Sequence, residues 1–217
     1  MLPNKKYCFE VCYESCFYLF GRRVSGYQLL SQLCHYVILD GNFRLCKIIK
    51  MSTFRLALIQ LSVGANKASN LARASEKIAE ASKAGAKVVS LPECFNSPYG
   101  TQHFPEYAEP IPSGQSCDIL SKAAKDHGIF LIGGTIPERH EDKLFNTCTI
   151  WSPTGDLIST YRKMHLFDID IPGKITFKES DALTGGNDFV SFSTPWTEIG
   201  IGICYVCLHT CIFCSIS

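Results

Sequence analysis

From residue 54 onward the chain moves between two apolar rhythms. Residues 54–61 (FRLALIQL) alternate into a short apolar run, the pattern of a strand that opens a core. Residues 70–86 carry Leu71, Ala74, Ile78, Ala81 and Ala84 at helical spacing, which predicts an amphipathic helix stopped at Gly85. Residues 87–91 (KVVSL) predict a second, buried strand. A second helix is predicted over 117–127, ended by Gly128, and a third strand over 129–132, closed by Gly133-Gly134. Strands over 144–152 and 157–161 flank Pro153-Thr-Gly155, a turn signal that predicts a hairpin. Residues 189–192 and 199–204 complete the set of strands. Strands alternating with helices, plus a hairpin, predict an α/β layered fold.

The pattern is lost at both ends, and composition changes there too. Residues 1–50 hold seven Lys/Arg against three Asp/Glu, a net +4, and residues 51–217 hold fourteen against seventeen, a net −3. Twelve cysteines are spread unevenly, five in the first 50 residues and four in the last 14. A disulfide scaffold would distribute them through a short, loop-rich chain, so the clustering marks the ends as different material. The expected organisation is an extension over 1–50, a globular segment over 51–205 and a Cys-rich apolar tail over 206–217. In the extension, Lys5 and Lys6 precede an apolar stretch, yet Glu10 and Glu14 interrupt it and exclude a clean signal peptide. Arg22, Arg23 and Ser25 suit a mitochondrial presequence, against which the two glutamates count; the alternative is a poorly ordered extension outside the fold.

The end of the chain, residues 199–217, contains no Asp, Glu, Lys or Arg. As a helix it would reach roughly 28 Å, close to a bilayer core, but its glycines, His209, Thr210 and serines argue instead for a buried strand running into an apolar tail. The tail also spells C-x2-C-x3-C-x2-C at Cys204, Cys207, Cys211 and Cys214. Paired C-x2-C elements chelate zinc or iron–sulfur clusters, but only three residues separate the pairs, too few for a common site, so no metal is expected.

Composition narrows the class. Hydrophobic residues at 46% supply a core, which excludes a disordered chain. A net charge of +1 provides no basic footprint for nucleic acid. None of the asparagines lies in an Asn-x-Ser/Thr acceptor, in keeping with a chain that is not secreted.

Three segments place polar residues at the ends of apolar strands, where α/β folds put their sites. Glu93, in Leu91-Pro-Glu-Cys94, follows a buried strand; partial desolvation raises a carboxyl pKa and suits it to act as a base, although a solvated turn glutamate has the same sequence signature. Lys163, in Tyr161-Arg-Lys-Met164, can face a developing negative charge or simply be solvated. Cys204, in Gly200-Ile-Gly-Ile-Cys204, is either a buried structural thiol or a nucleophile in need of a nearby base. Taken together, Glu, Lys and Cys at three strand ends supply base, oxyanion stabiliser and nucleophile.

The order of these motifs resembles the carbon–nitrogen hydrolase (nitrilase) superfamily, and most closely its omega-amidase branch. The resemblance rests on Phe54-Arg-Leu-Ala-Leu-Ile-Gln60, on Val89 through Gly100 (VSLPECFNSPYG) and on His165 through Phe177 (HLFDIDIPGKITF), and it covers residues 51–205. It implies an α/β fold of the αββα type, two sheets in four layers, with the second half incomplete here. It implies an amidase acting on the terminal amide of alpha-ketoglutaramate or alpha-ketosuccinamate, in glutamine, asparagine and oxaloacetate metabolism, through a Glu93-Lys163-Cys204 triad. Glu179 would position Lys163 and the substrate, or lie as a surface charge on a loop, and Tyr99 would line the substrate pocket. No metal or organic cofactor is implied, nor a nucleic-acid or membrane partner; family members are dimers of the cytoplasm, some also mitochondrial. The pattern departs at Val206, where the family has Asp. That departure predicts a truncated chain, its first sheet left with an exposed apolar face and bare edges. Three readings follow: an omega-amidase, an impaired relative that binds full-length subunits, and a Cys-rich metal module.

Overall fold

The structure is a computed structural model that describes residues 53–204 and, before them, the backbone of three short strands within residues 17–48. Those strands are β1 (Phe17–Gly21), β2 (Val37–Leu39) and β3 (Leu45–Ile48). The main body follows as β4 (Leu56–Leu58), α1 (Lys67–Lys83), β5 (Val88–Ser90), α2 (Phe104–Tyr107), α3 (Gln115–His127), β6 (Phe130–His140), β7 (Lys143–Trp151) and β8 (Leu157–Arg162). A hairpin of β9 (Asp168–Ile171) and β10 (Ile175–Lys178), a 3-10 turn (Glu179–Asp181), β11 (Ser191–Ser193) and β12 (Glu198–Ile203) complete it.

The expected α/β class is what the chain adopts. One sheet has the order β4-β5-β6-β7-β8, parallel through β6 and antiparallel thereafter. A second has the order β1-β12-β11, all antiparallel. Alternation along the strands of the first sheet sends residues to two faces. Val89 and Leu131 join Leu71, Ile78, Leu120 and Ala124 under α1 and α3. Their neighbours Val88 and Ile132 join Cys148, Ile150, Ile199, Ile201 and Ile203 between the sheets. The described residues therefore form three layers, α-β-β, of the four in the predicted sandwich. The exposed apolar face expected of the first sheet is not found: β11 and β12 cover it, and Val88, Ile132, Cys148 and Ile150 are fully buried. β1 covers the outer edge of β12, with Phe17 opposite Ile203 and Gly21 opposite Ile199.

Local differences from the sequence pattern have identifiable causes. The first helix starts at Lys67 rather than 70, because the Asn66 side chain accepts from the Ser69 N–H at 2.8 Å and caps it. Gly133-Gly134 does not close a strand; it forms a bulge through which β6 continues for 11 residues. Gly134 has φ +63°, and a Cβ there would lie 2.3 Å from the Pro92 carbonyl oxygen. The bulge thereby admits the loop after β5: Thr135 N–H donates to the Pro92 carbonyl, Phe95 N–H to the Thr135 carbonyl, and Cys94 N–H to Thr135 Oγ1. The hairpin at Pro153-Thr-Gly155 forms as predicted, with Trp151 opposite Leu157. The presequence motif and Cys207, Cys211 and Cys214 lie outside the described residues. Among the described residues no helix is long and apolar enough to cross a membrane, and no three His, Cys, Asp or Glu group to hold a metal ion.

Candidate active site

Three strand ends converge. Glu93 follows β5 in the loop held by the Gly134 bulge, Lys163 is the first residue after β8, and Cys204 the first after β12. The Lys163 ammonium is wholly buried and lies 3.0 Å from Glu93 Oε1. On its other side it reaches Glu179, 2.9 Å from Oε1 and 2.8 Å from Oε2. Glu179 sits in the 3-10 turn after β10 and is itself fully buried, so it is not a surface charge. It also accepts from the Phe167 N–H at 2.7 Å and the Tyr99 hydroxyl at 2.6 Å. Tyr99 in turn packs its ring against Phe104 and Phe177.

The electrostatics follow from burying one cation between two carboxylates. Burial would lower the Lys163 pKa, but Glu93 and Glu179 together outweigh it and hold the ammonium charged, its pKa raised. Burial is also the largest influence on Glu93 and raises its pKa; Lys163 opposes this, while Glu179 adds to it. A carboxyl so placed takes up a proton more readily than an exposed glutamate, which is what a general base near neutrality requires. Burial, then the bond to Glu179, raises the Tyr99 pKa, so its hydroxyl stays protonated.

Among the cysteines whose side chains are described, Cys94, Cys117 and Cys148 are buried and Cys204 is half-buried. Burial pushes the Cys117 thiol up to about 12 and the other two buried thiols well upward, keeping all three neutral. Cys204, at the end of β12, has φ +51°, the left-handed backbone that a non-glycine residue rarely adopts. A negative charge on its sulfur would raise the pKa of both Lys163 and Tyr99, so the thiol lies within electrostatic reach of the ion cluster.

One residue of this cluster escapes the strand-end reasoning. Asn146, buried in the middle of β7, donates from Nδ2 to Glu93 Oε1 at 2.7 Å. Its signal was an asparagine within a strongly apolar strand, a residue type that strands disfavour. A second, half-buried ion pair is formed where Arg162 binds both oxygens of Glu138 and lies 3.9 Å over the Phe145 ring.

Comparison with known proteins places these features. The carbon-nitrogen hydrolase family pattern matches residues 55–207. The chain is 59% identical over 155 residues to omega-amidase NIT2 of Mus musculus, a stretch that is 71% of this chain and 56% of that protein. The human omega-amidase NIT2 is 57% identical over the same length. The chain thus spans little more than half of these relatives. Among solved structures, Nit3 of Saccharomyces cerevisiae, a member of branch 10 of the nitrilase superfamily, superposes with a TM-score of 0.57 at 38% identity, covering 66% of this chain and 52% of that one. With the family pattern running through all three strand ends, the chain belongs to the carbon-nitrogen hydrolase family.

Proposed function

We propose that the chain is an omega-amidase-like hydrolase acting through Glu93, Lys163 and Cys204 on the terminal amide of alpha-ketoglutaramate or alpha-ketosuccinamate. The observation that carries this reading is the wholly buried Lys163 held between Glu93 and Glu179, within electrostatic reach of the half-buried Cys204. The substrate class comes from the similarity to the omega-amidases. Glu93 takes the thiol proton as the Cys204 sulfur attacks the amide carbon. The carbonyl electrons move onto oxygen, where the Lys163 ammonium opposes the developing charge. Collapse breaks the C–N bond, Glu93 returns the proton to nitrogen, and ammonia leaves a thioester. Glu93 then deprotonates a water that attacks the thioester, and the cleaved sulfur is protonated again. Glu179 holds the ammonium in place and Tyr99 holds Glu179.

The test is ammonia release from alpha-ketoglutaramate by the purified full chain, abolished in Cys204→Ala. A folded chain that releases none, yet co-purifies with a full-length omega-amidase subunit, supports instead an impaired relative acting as a binding partner. We place the activity in the cytoplasm or the mitochondrion, with a dimer as the family's working form; fractionation and sedimentation test both.

A further inference from the structure

We infer that Asn146 is a positioning residue that fixes which oxygen of Glu93 moves the proton. Asn146 ties together two of the strand ends. Its carbonyl accepts from the Lys163 N–H at 2.8 Å, and its Nδ2 donates to Glu93 Oε1 at 2.7 Å. The Lys163 ammonium binds the same Oε1 at 3.0 Å. Both donors therefore converge on the one oxygen, Oε1. Charge on the carboxylate is drawn to Oε1, where it is neutralised, and Oε2 is left as the site of protonation. The side chain is well suited to this. Asn146 is 1% exposed, so water does not replace its bond, and its Oδ1 is buried without a partner. An orphaned buried acceptor costs stability, which a group serving only to pack would avoid. The Asn146 donor also opposes the upward push of burial on Glu93.

The inference rests on the reading of Glu93 as the base for Cys204, and the experiment separates the two. The rate of iodoacetamide alkylation at Cys204 is followed against pH on the full chain, resolved by peptide mass spectrometry, for the parent, Asn146→Leu, Asn146→Asp and Glu93→Gln. Thermal melts establish which variants fold. The parent profile has a midpoint set by Glu93, which Glu93→Gln abolishes. Asn146→Leu and Asn146→Asp each move that midpoint upward by about one pH unit, leaving the limiting rate at high pH near the parent's. Asn146→Asp preserves shape and the backbone bond to Lys163, so it decides the matter if Asn146→Leu does not fold. An unmoved midpoint in a folded variant overturns the inference. So does loss of folding in both, since Asn146 is then a structural residue. A parent profile that Glu93→Gln leaves intact refutes the base assignment itself.

Discussion

Lys163 and its two carboxylates set the residue-scale expectations. Lys163→Met removes the cation held between Glu179, fully buried, and Glu93, nearly so. Removing one partner of a buried ion pair leaves uncompensated charge, and the expected loss is about 3–5 kcal/mol in urea denaturation. Glu93→Gln has the opposite sign. The ordinary carboxyl value is 4.5 and the folded value lies above it. Between the two the folded state binds more protons than the unfolded, so stability falls as pH rises through that window. Glutamine carries no such charge, so Glu93→Gln melts at or above the parent temperature at pH 7 while losing turnover. A melting temperature well below the parent's contradicts this account of Glu93.

At the scale of elements, the bulge in β6 and the clamp between β6 and β8 hold the site. Gly134→Ala adds a Cβ 2.3 Å from the Pro92 carbonyl oxygen at φ +63°. It is expected to cost about 3 kcal/mol and to displace the Glu93 loop, read as lost stability together with slowed alkylation of Cys204. A normal melt with normal reactivity contradicts that role. In the clamp, burial would raise the Glu138 pKa, but Arg162 and Thr147 outweigh it and hold it below 4.5. A depressed carboxyl contributes stability that is present above its unfolded pKa and lost as pH falls through the folded value. Glu138→Gln is therefore expected to weaken the acid dependence of stability below about pH 4.5, measured by urea midpoints across pH. The elements that the sequence shows well are those with strong periodicity: α3, β5 and the β7–β8 hairpin. The Gly133-Gly134 pair misleads because a bulge and a strand end share the same glycines, and only the partner loop tells them apart. The β9–β10 hairpin was not legible, since Ile171 and Ile175 are exposed and leave no one-sided pattern. Glu93, Lys163 and Cys204 stand out by ending apolar strands, whereas the buried setting of Glu179 depends on a turn that no periodicity marks.

At the scale of the whole molecule, two sheets face each other and β12, the strand that ends at Cys204, lies between β11 and β1. An unpaired strand edge recruits other chains. Deleting residues 17–21 removes β1 and bares the outer edge of β12, so the shortened chain is expected to self-associate at concentrations where the parent does not, as read by light scattering. Equal scattering from the two chains contradicts the pairing. The convergence of three strand ends on one thiol is the central claim, and a quenched-flow experiment with alpha-ketoglutaramate tests it most directly. Acid-quenched full chain, digested and analysed by mass spectrometry, is predicted to carry a transient acyl adduct on the peptide containing Cys204, absent from Cys204→Ala. Ammonia release that persists in Cys204→Ala, or an adduct on a different cysteine, would contradict it.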